Sequence, residues 1–315
     1  MKNISIEEFA EISHFTSEET AALQEILNDP QLRNKAEIIA EKCFIPGVYN
    51  PLPEFEENRE LSQCWFAAAY LGCSASREHY RCYGFPESVW RETLTDLSVW
   101  LRNCKRNNGF IGLAYARPWT VQLYAGKVTR HGRLECNSEY FFHYGKLVDA
   151  DNKVILDYND PVINLHIPED GPMSMKDCGT SIRRMAEFFA KYRSNFDYKG
   201  FICSSWLLDS QLADMLPESS NILKFQKLGF RFLLNEPADS VFRIFGTSNP
   251  EDIEKPTYLQ RTASEFLKSG GEFRTEGFFI PRDDIEAAGY DLNVLIEHYQ
   301  YIKYAKVISE SKRLM

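Results

Sequence analysis

Apolar residues in the first third of the chain recur at helical spacing. In SIEEFAEISHF, Ile6, Phe9, Ala10 and Ile12 fall near one face, and SEETAALQEILND follows, opened by a serine suited to a cap. DPQLRNKAEIIAEKCF continues the pattern. IPGVYNPLPEFEENREL, with three prolines and a glycine, breaks it and is predicted as a connecting loop. QCWFAAAYLGCSASREHYRCYG then predicts a buried helix followed by a polar one. PESVWRETLTDLSVWLRNCKRNNG predicts a helix with proline in its first turn and Val89, Leu94, Leu97 and Leu101 inside. Its basic end closes on Asn-Asn-Gly, as the helix dipole and a left-handed cap favour.

Near residue 130 the period shortens. RHGRLECNSEYFFHY reads as a strand, with Leu134, Cys136 and Tyr140 alternating imperfectly with polar residues. GKLVDADNKVILDYND predicts a hairpin about the turn DADN. PVINLHI is a continuous apolar run, the mark of an interior strand. PEDGPMS then turns the chain into SMKDCGTSIRRMAEFFAKY. There Ser174 with Asp177 forms a capping-box pattern, and Cys178, Ile182, Met185, Ala186 and Phe189 share a face. KGFICSSW is a second buried strand, and two short capped helices, DSQLADML and SSNILKFQKLG, follow it. FRFLL and SVFRIFG are predicted as short strands, YLQRTASEFLKSGG as a helix and EFRTEGFFIP as a strand; the tail reads mostly helical. No repeat is present. The order defines an α+β protein: a helical N-terminal domain over residues 1–128, then a mixed β-sheet flanked by helices over residues 129–315, with one crossover.

The 315 residues are 44% hydrophobic and 14% aromatic, enough for packed cores and against disorder. No run of 18 apolar residues occurs, so no membrane partner is expected. The acidic, amphipathic start does not read as a signal peptide, and a cytoplasmic location is expected. The net charge of −9 is concentrated at the front, where residues 1–60 hold 13 acids and 5 bases. That suits a solvated acidic helical surface or a face for a basic partner, and it argues against nucleic acid as a partner. The eight cysteines contain no CxxC pair and read as reduced thiols. Cys73, His79 and Cys82 are the best metal-like grouping, but no second tight pair completes a zinc site, and no metal is expected.

Candidate chemistry gathers at NLHIPEDGPMS. His166, at the end of a strand, has a reference pKa near 6.5, suited either to a base or to a structural ring bonded to backbone. Glu169 is a second candidate base, and Asp170 precedes Gly171 as a turn-former. The helix start from Gly171 to Lys176 leaves backbone N–H groups unpaired and can hold an anion, with Lys176 adding charge. A Cys203–His166 thiol pair is possible if their strands are neighbours and the two side chains share a face. GxSxG, a P-loop and a Rossmann glycine fingerprint are absent from the sequence.

FQKLGFRFLL, residues 225–234, resembles the helix end and strand that GNAT acyltransferases write as Tyr-x-x-x-Gly-Phe, with Gly229 and Phe230 kept. LHIP at 165–168, SWLLDSQL at 205–212 and LPESSNILKFQ at 216–226 resemble a bacterial family that joins a helical N-terminal domain to a GNAT-like C-terminal domain. The resemblance implies acetyl-CoA or another acyl-CoA as co-substrate, or an acyl carrier protein as donor, and a small-molecule amine or peptide acceptor. It implies that the strands PVINLHI and GFICSS splay to admit the pantetheine arm. His166, Glu169 and Ser220 become the catalytic candidates, Ser220 as donor to the leaving sulfur. Ile167, Gly171, Met173, Ser174, Lys176, Ser204 and Asn221 become the cofactor-binding ones. Two features depart from the GNAT pattern: PEDGPMSMKDCG lacks the pyrophosphate-loop glycines, and Phe225 stands where a proton-donating tyrosine is usual. Both favour the alternative of a non-catalytic GNAT-like module that binds a ligand or a protein.

Overall fold

The computed structural model describes residues 4–44, 58–113, 117–141, 145–237, 240–245, 256–299 and 304–308. The loop expected over 45–57 and parts of the expected helical tail, 300–303 and 309–315, lie outside the described residues. The chain forms two compact units: residues 1–131 with 168–170, and residues 132–167 with 171–315.

The first unit holds α1 (Ile6–Ser13), α2 (Ser17–Asn28), α3 (Pro30–Cys43), α4 (Arg59–Cys82), α5 (Glu87–Leu94), α6 (Asp96–Asn108), α7 (Arg117–Tyr124) and the short strand β1 (Val128–Arg130). The cap of α2 is Thr16 rather than the expected serine, in a reciprocal capping box with Glu19. The buried and polar helices expected after residue 63 are one continuous α4. Asn58 caps it by accepting from Leu61 N–H at 2.8 Å, and its Cys64–Ala69 stretch is buried on every side. The helix expected over 86–109 divides at Thr95, whose hydroxyl donates back to the Glu92 carbonyl at 2.7 Å, and the chain restarts as α6. The expected inner residues Val89, Leu94, Leu97 and Leu101 are buried there with Trp65, Trp90 and Tyr80.

The second unit runs β2 (Glu135–Tyr140), β3 (Lys146–Val148), β4 (Val154–Leu156), β5 (Pro161–His166), α8 (Met175–Tyr192), β6 (Gly200–Ser205), two short 3-10 turns, α9 (Asn221–Phe225) and β7 (Phe230–Pro237). It continues with α10 (Ser240–Phe245), α11 (Tyr258–Lys268), β8 (Arg274–Pro281), α12 (Arg282–Ala287), α13 (Leu292–His298) and β9 (Lys306–Ile308). Its main sheet has the order β2-β5-β6-β8-β7. The pair β5–β6 is parallel, and the other neighbours are antiparallel.

Two elements of this unit differ from expectation. The hairpin β3–β4 forms a separate small sheet with β9, a strand in what was read as helical tail. SVFRIFG supplies helix α10, not a strand. Its Val241, Ile244 and Phe245 fall three and four apart and meet Leu212, Met215 and Ala263, so packing overrides the β-rich composition.

Sheet alternation sorts the core into two faces. Phe201 meets Tyr198, which meets Phe189 of α8, so the odd-numbered face of β6 looks toward that helix. The expected inner stripe of α8 is buried in full. Each large apolar side chain so buried contributes about 1.5–3 kcal/mol. The even-numbered residues Val162 and Ile202, with Phe232 and Phe279, pack on the other face against Leu147, Leu156 and Phe141.

Candidate active site

The pairing of β5 with β6 covers Ile163↔Phe201 and Asn164↔Ile202. Beyond it β5 continues to His166 and β6 to Ser205, so the C-terminal ends of these two parallel strands run on past their last paired position. The antiparallel pairing of β5 with β2 continues to the end, with Glu139↔Val162, Asn137↔Asn164 and Glu135↔His166. Alternation therefore places Glu135, Asn137 and Glu139 on the same face as Asn164 and His166. Two diagonal hydrogen bonds lace this face: Asn164 Nδ2 donates to Glu139 Oε2 at 2.8 Å, and His166 Nε2 lies 2.6 Å from Asn137 Oδ1. Glu139, Asn164, Val162, Ile202, Ser204 and Phe141 line a narrow cleft on that face.

The Asn137 amide nitrogen donates to Ser138 O at 3.3 Å, which turns its oxygen to the imidazole. An amide oxygen only accepts, so His166 carries its proton on Nε2, and Nδ1 is the basic nitrogen of the neutral ring. By accessible surface the ring is half-buried. The protein around it still removes enough water to pull its pKa down to about 4. The ring is thus neutral at neutral pH, the state a base requires, though a weakly driven one.

Cys203 lies one residue from Ser204 and faces the other way, toward Cys178 of α8, and burial pushes its thiol up to about 12. The strands of His166 and Cys203 are neighbours, but alternation puts the two side chains on opposite faces. The thiol-pair alternative is corrected on that ground.

The other sequence candidates fall as follows. Ile167 is half-buried just past β5. Gly171 is exposed and has a carbonyl that accepts from Arg133 Nη2 at 2.8 Å. Arg133 Nε also donates to Pro172 O at 3.0 Å, so this side chain shapes the turn into α8. Met173 is buried. Ser174 caps α8, accepting from Asp177 N–H at 3.2 Å. Lys176 is exposed and lines a groove of about 320 Å³ with Thr180, Arg183, Tyr290, Asp291 and Asn293. Ser204 lies in the cleft. Ser220 caps α9, accepting from Ile222 N–H at 3.2 Å, and Asn221 is the first residue of that helix.

Glu169 and Asp170 are grouped with the first unit. The Glu169 carboxylate accepts from Arg106 Nη2 at 2.9 Å and Asn103 Nδ2 at 3.2 Å, both on α6. Asp170 pairs with the buried Arg130. Close by, the buried Asp96 accepts from the indoles of Trp100 and Trp119 at 2.8 and 3.0 Å. Burial pushes this carboxyl up to about 6, against the pull of those bonds and of Arg130.

Phe225 is buried and meets Phe278 edge-on, with ring centroids 5.2 Å apart. Gly229 has φ +68°, and a Cβ there would lie 2.1 Å from Phe279 O, which explains the glycine of the Gly-Phe pair. Of the metal-like trio, Cys73 is buried with its thiol raised by desolvation, and His79 Nε2 lies 3.1 Å from Ala125 O. Among the described residues no group of three or more metal-ligating side chains occurs, and no helix is long and apolar enough to cross a membrane.

Sequence reasoning missed Asn137, Glu139, Asn164 and Arg133. The first two carried a signal: in ECNSEY the polar residues Glu135, Asn137 and Glu139 recur at the period of a strand, on one face.

A mixed sheet whose central parallel strands part beyond a short paired stretch, followed by the Gly229–Phe230 entry to β7, has the architecture of a GNAT-like domain. Residues 128–279 match the GNAT-like C-terminal domain, and residues 5–126 match the N-acyltransferase N-terminal domain. The chain belongs to the family that joins these two domains. It is similar to a solved acyltransferase in complex with decanoyl-CoA and teicoplanin, at 22% identity and TM-score 0.67 over 88% of each chain. It is equally similar to a mutant acyltransferase in complex with octanoyl-CoA, at 22% identity and TM-score 0.68 over 88% of each chain. At that identity the likeness concerns the fold. No curated protein matches the chain.

Proposed function

We propose that this protein transfers an acyl group from acyl-CoA to an amine acceptor, a small molecule or a peptide. The observation that carries the reading is the end of β5–β6 pairing at Asn164 and Ile202, with a polar face beside it. Unpaired strand edges can hydrogen-bond the amides of a pantetheine arm. The similar acyltransferase structures hold octanoyl-CoA, decanoyl-CoA and teicoplanin, which supports both halves of the reading.

In this reading the free N–H groups at the start of α8, with Lys176, receive the diphosphate. Ile167, Gly171, Met173, Ser174, Ser204 and Asn221 stand along the cofactor. The neutral His166 accepts a proton from the attacking amine through Nδ1. The amine nitrogen forms the new C–N bond, the C–S bond breaks, and the Ser220 hydroxyl relays a proton from solvent to the departing sulfur. The second reading, a non-catalytic binding module, is favoured by the missing pyrophosphate glycines and by Phe225.

Thermal shift with CoA, acetyl-CoA, octanoyl-CoA and decanoyl-CoA tests the reading. A ligand bound at about 100 times its Kd stabilises by about 2.7 kcal/mol, a readily measured rise. Stabilisation by CoA and its thioesters, followed by release of free thiol when amines are added, is expected. No shift with any of the four would remove CoA from the reading. A shift without turnover across amines would favour the binding module.

A further inference from the structure

A groove runs beside α8, and only its Lys176 has a part in the acyl-transfer reading. Lys176, Thr180 and Arg183 of α8 line one wall, and Tyr290, Asp291 and Asn293 line the other. We propose that this groove seats a phosphate monoester, with Arg183 as its principal cation. The inference rests on the acyl-transfer reading, in which the monoester is the 3′-phosphate on the ribose of CoA.

The groove has the room and the charge for such a group. It holds about 320 Å³, at the lower end of the roughly 300–1,000 Å³ of small-molecule sites. Lys176 and Arg183 are exposed, and neither side chain has an ion-pair or hydrogen-bond partner among the described residues. Asp291 is the one acid on the walls. It is committed to capping α13, where its Oδ1 accepts from Asn293 N–H at 2.9 Å and from Asn293 Nδ2 at 3.3 Å. The walls thus set two cations against one carboxylate. The Thr180 hydroxyl donates to the Lys176 carbonyl at 2.9 Å, so recognition of an anion falls to the cations. A guanidinium presents a fork of N–H donors that matches phosphate oxygens.

The walls are fixed against each other. A Cβ at Gly179 would collide with Tyr290 O, so glycine is what lets the loop lie against the helix. Tyr290 holds φ +63°, a left-handed conformation that bulky residues rarely adopt. The spacing of the cations then points to one ligand with two anionic groups. Lys176 and Arg183 are seven residues apart on one side of α8, about 10 Å along its axis. Lys176 stands at the helix start, where the acyl-transfer reading puts the diphosphate. Arg183 stands two turns further on and suits a second phosphate of the same molecule. CoA carries that phosphate on the ribose attached to its diphosphate.

Isothermal titration calorimetry on the full-length protein tests this with CoA, dephospho-CoA and adenosine 3′,5′-bisphosphate. CoA is expected to bind at least about tenfold more tightly than dephospho-CoA, a preference of about 1.4 kcal/mol. Arg183→Gln should bring CoA to the affinity of dephospho-CoA and leave dephospho-CoA unchanged, which also shows that the variant is folded. Arg183→Lys, which keeps the charge, should retain part of the preference. Lys191→Gln makes the same charge change on α8 outside the groove and should retain all of it. Equal affinity for CoA and dephospho-CoA in the wild type, or a preference unaltered in Arg183→Gln, overturns the proposal and leaves the acyl-transfer reading standing. Binding of adenosine 3′,5′-bisphosphate that is lost in Arg183→Gln, with neither CoA nor dephospho-CoA bound, would support the groove as a site for a free phosphate ester and defeat the acyl-transfer reading. Absence of binding by all three defeats both.

Discussion

The pKa of His166 makes the sharpest physical prediction. In the unfolded chain the imidazole titrates near 6.5, and in the fold desolvation takes it down to about 4. As pH falls through this window the unfolded chain takes up the proton first. The folded state therefore has its full stability above pH 6.5 and loses it progressively toward pH 4. At pH 4.5 the loss from this one ring is about 2–3 kcal/mol, taking about 1.4 kcal/mol per pH unit. Urea denaturation of wild type and His166→Asn at pH 7 and pH 4.5 measures it, since the variant lacks the titrating ring and should lose less by that amount. Nitrogen NMR of the imidazole should show a neutral ring protonated on Nε2 down to about pH 5. A midpoint near 6.5, or identical pH dependence in the variant, would refute the reasoning. If His166 is the base, the acid limb of turnover should likewise fall below pH 5.

Asp96 pulls the other way. Its folded pKa is raised to about 6 by burial, so the unfolded chain releases the proton first as pH rises, and stability falls between about pH 4 and pH 6. The two groups act in overlapping windows with opposite signs. A flat wild-type profile there would conceal both, and the Asp96→Asn background is where the His166 slope stands out.

Three further outcomes follow from the packing. Gly229→Ala should destabilise by on the order of 3 kcal/mol or more, because φ is +68° and the new Cβ meets Phe279 O at 2.1 Å; a denaturation midpoint equal to wild type would contradict this. Arg231→Leu should lose about 3–5 kcal/mol, since it strands the buried Glu276 that Arg231 and Ser210 now satisfy. The paired change Arg231→Leu with Glu276→Leu should recover part of that loss in the same denaturation assay. Phe225→Tyr should lower stability by about 1–3 kcal/mol without raising turnover, because Phe225 packs on Phe278 in the core; a gain in thiol release would show that this ring reaches the leaving sulfur.

Much of the fold is legible because local pattern and final packing agree. The stripe Cys178, Ile182, Met185, Ala186 and Phe189 reads as a helix face and is one. The apolar PVINLHI is buried between β2 and β6 as such runs are. Misreadings arise where a distant partner decides. SVFRIFG has the composition of a strand, but its apolar residues find a helical neighbour in Ala263 of α11. Residues 306–308 are too few to declare a strand, and they become one only by pairing with β3.

The same distinction governs the site. The corner PEDG holds two acids beside a histidine in sequence, so proximity along the chain makes Glu169 the natural carboxylate for that histidine. The fold assigns both acids elsewhere: Glu169 to Arg106 and Asn103, Asp170 to Arg130. The acids that share a face with His166 in the strand register are Glu135, directly opposite it, and Glu139, 27 residues earlier in the sequence. An antiparallel register pairs residues by the sum of their numbers, so the spacing between Glu139 and His166 carries no local signature. What the sequence does offer is the alternation Glu135, Asn137, Glu139 against Asn164 and His166. Each half is visible alone, and only the pairing of β2 with β5 says that they face one another. A polar period-two run beside an apolar interior strand is therefore a reason to look for a site across the sheet before looking along the chain.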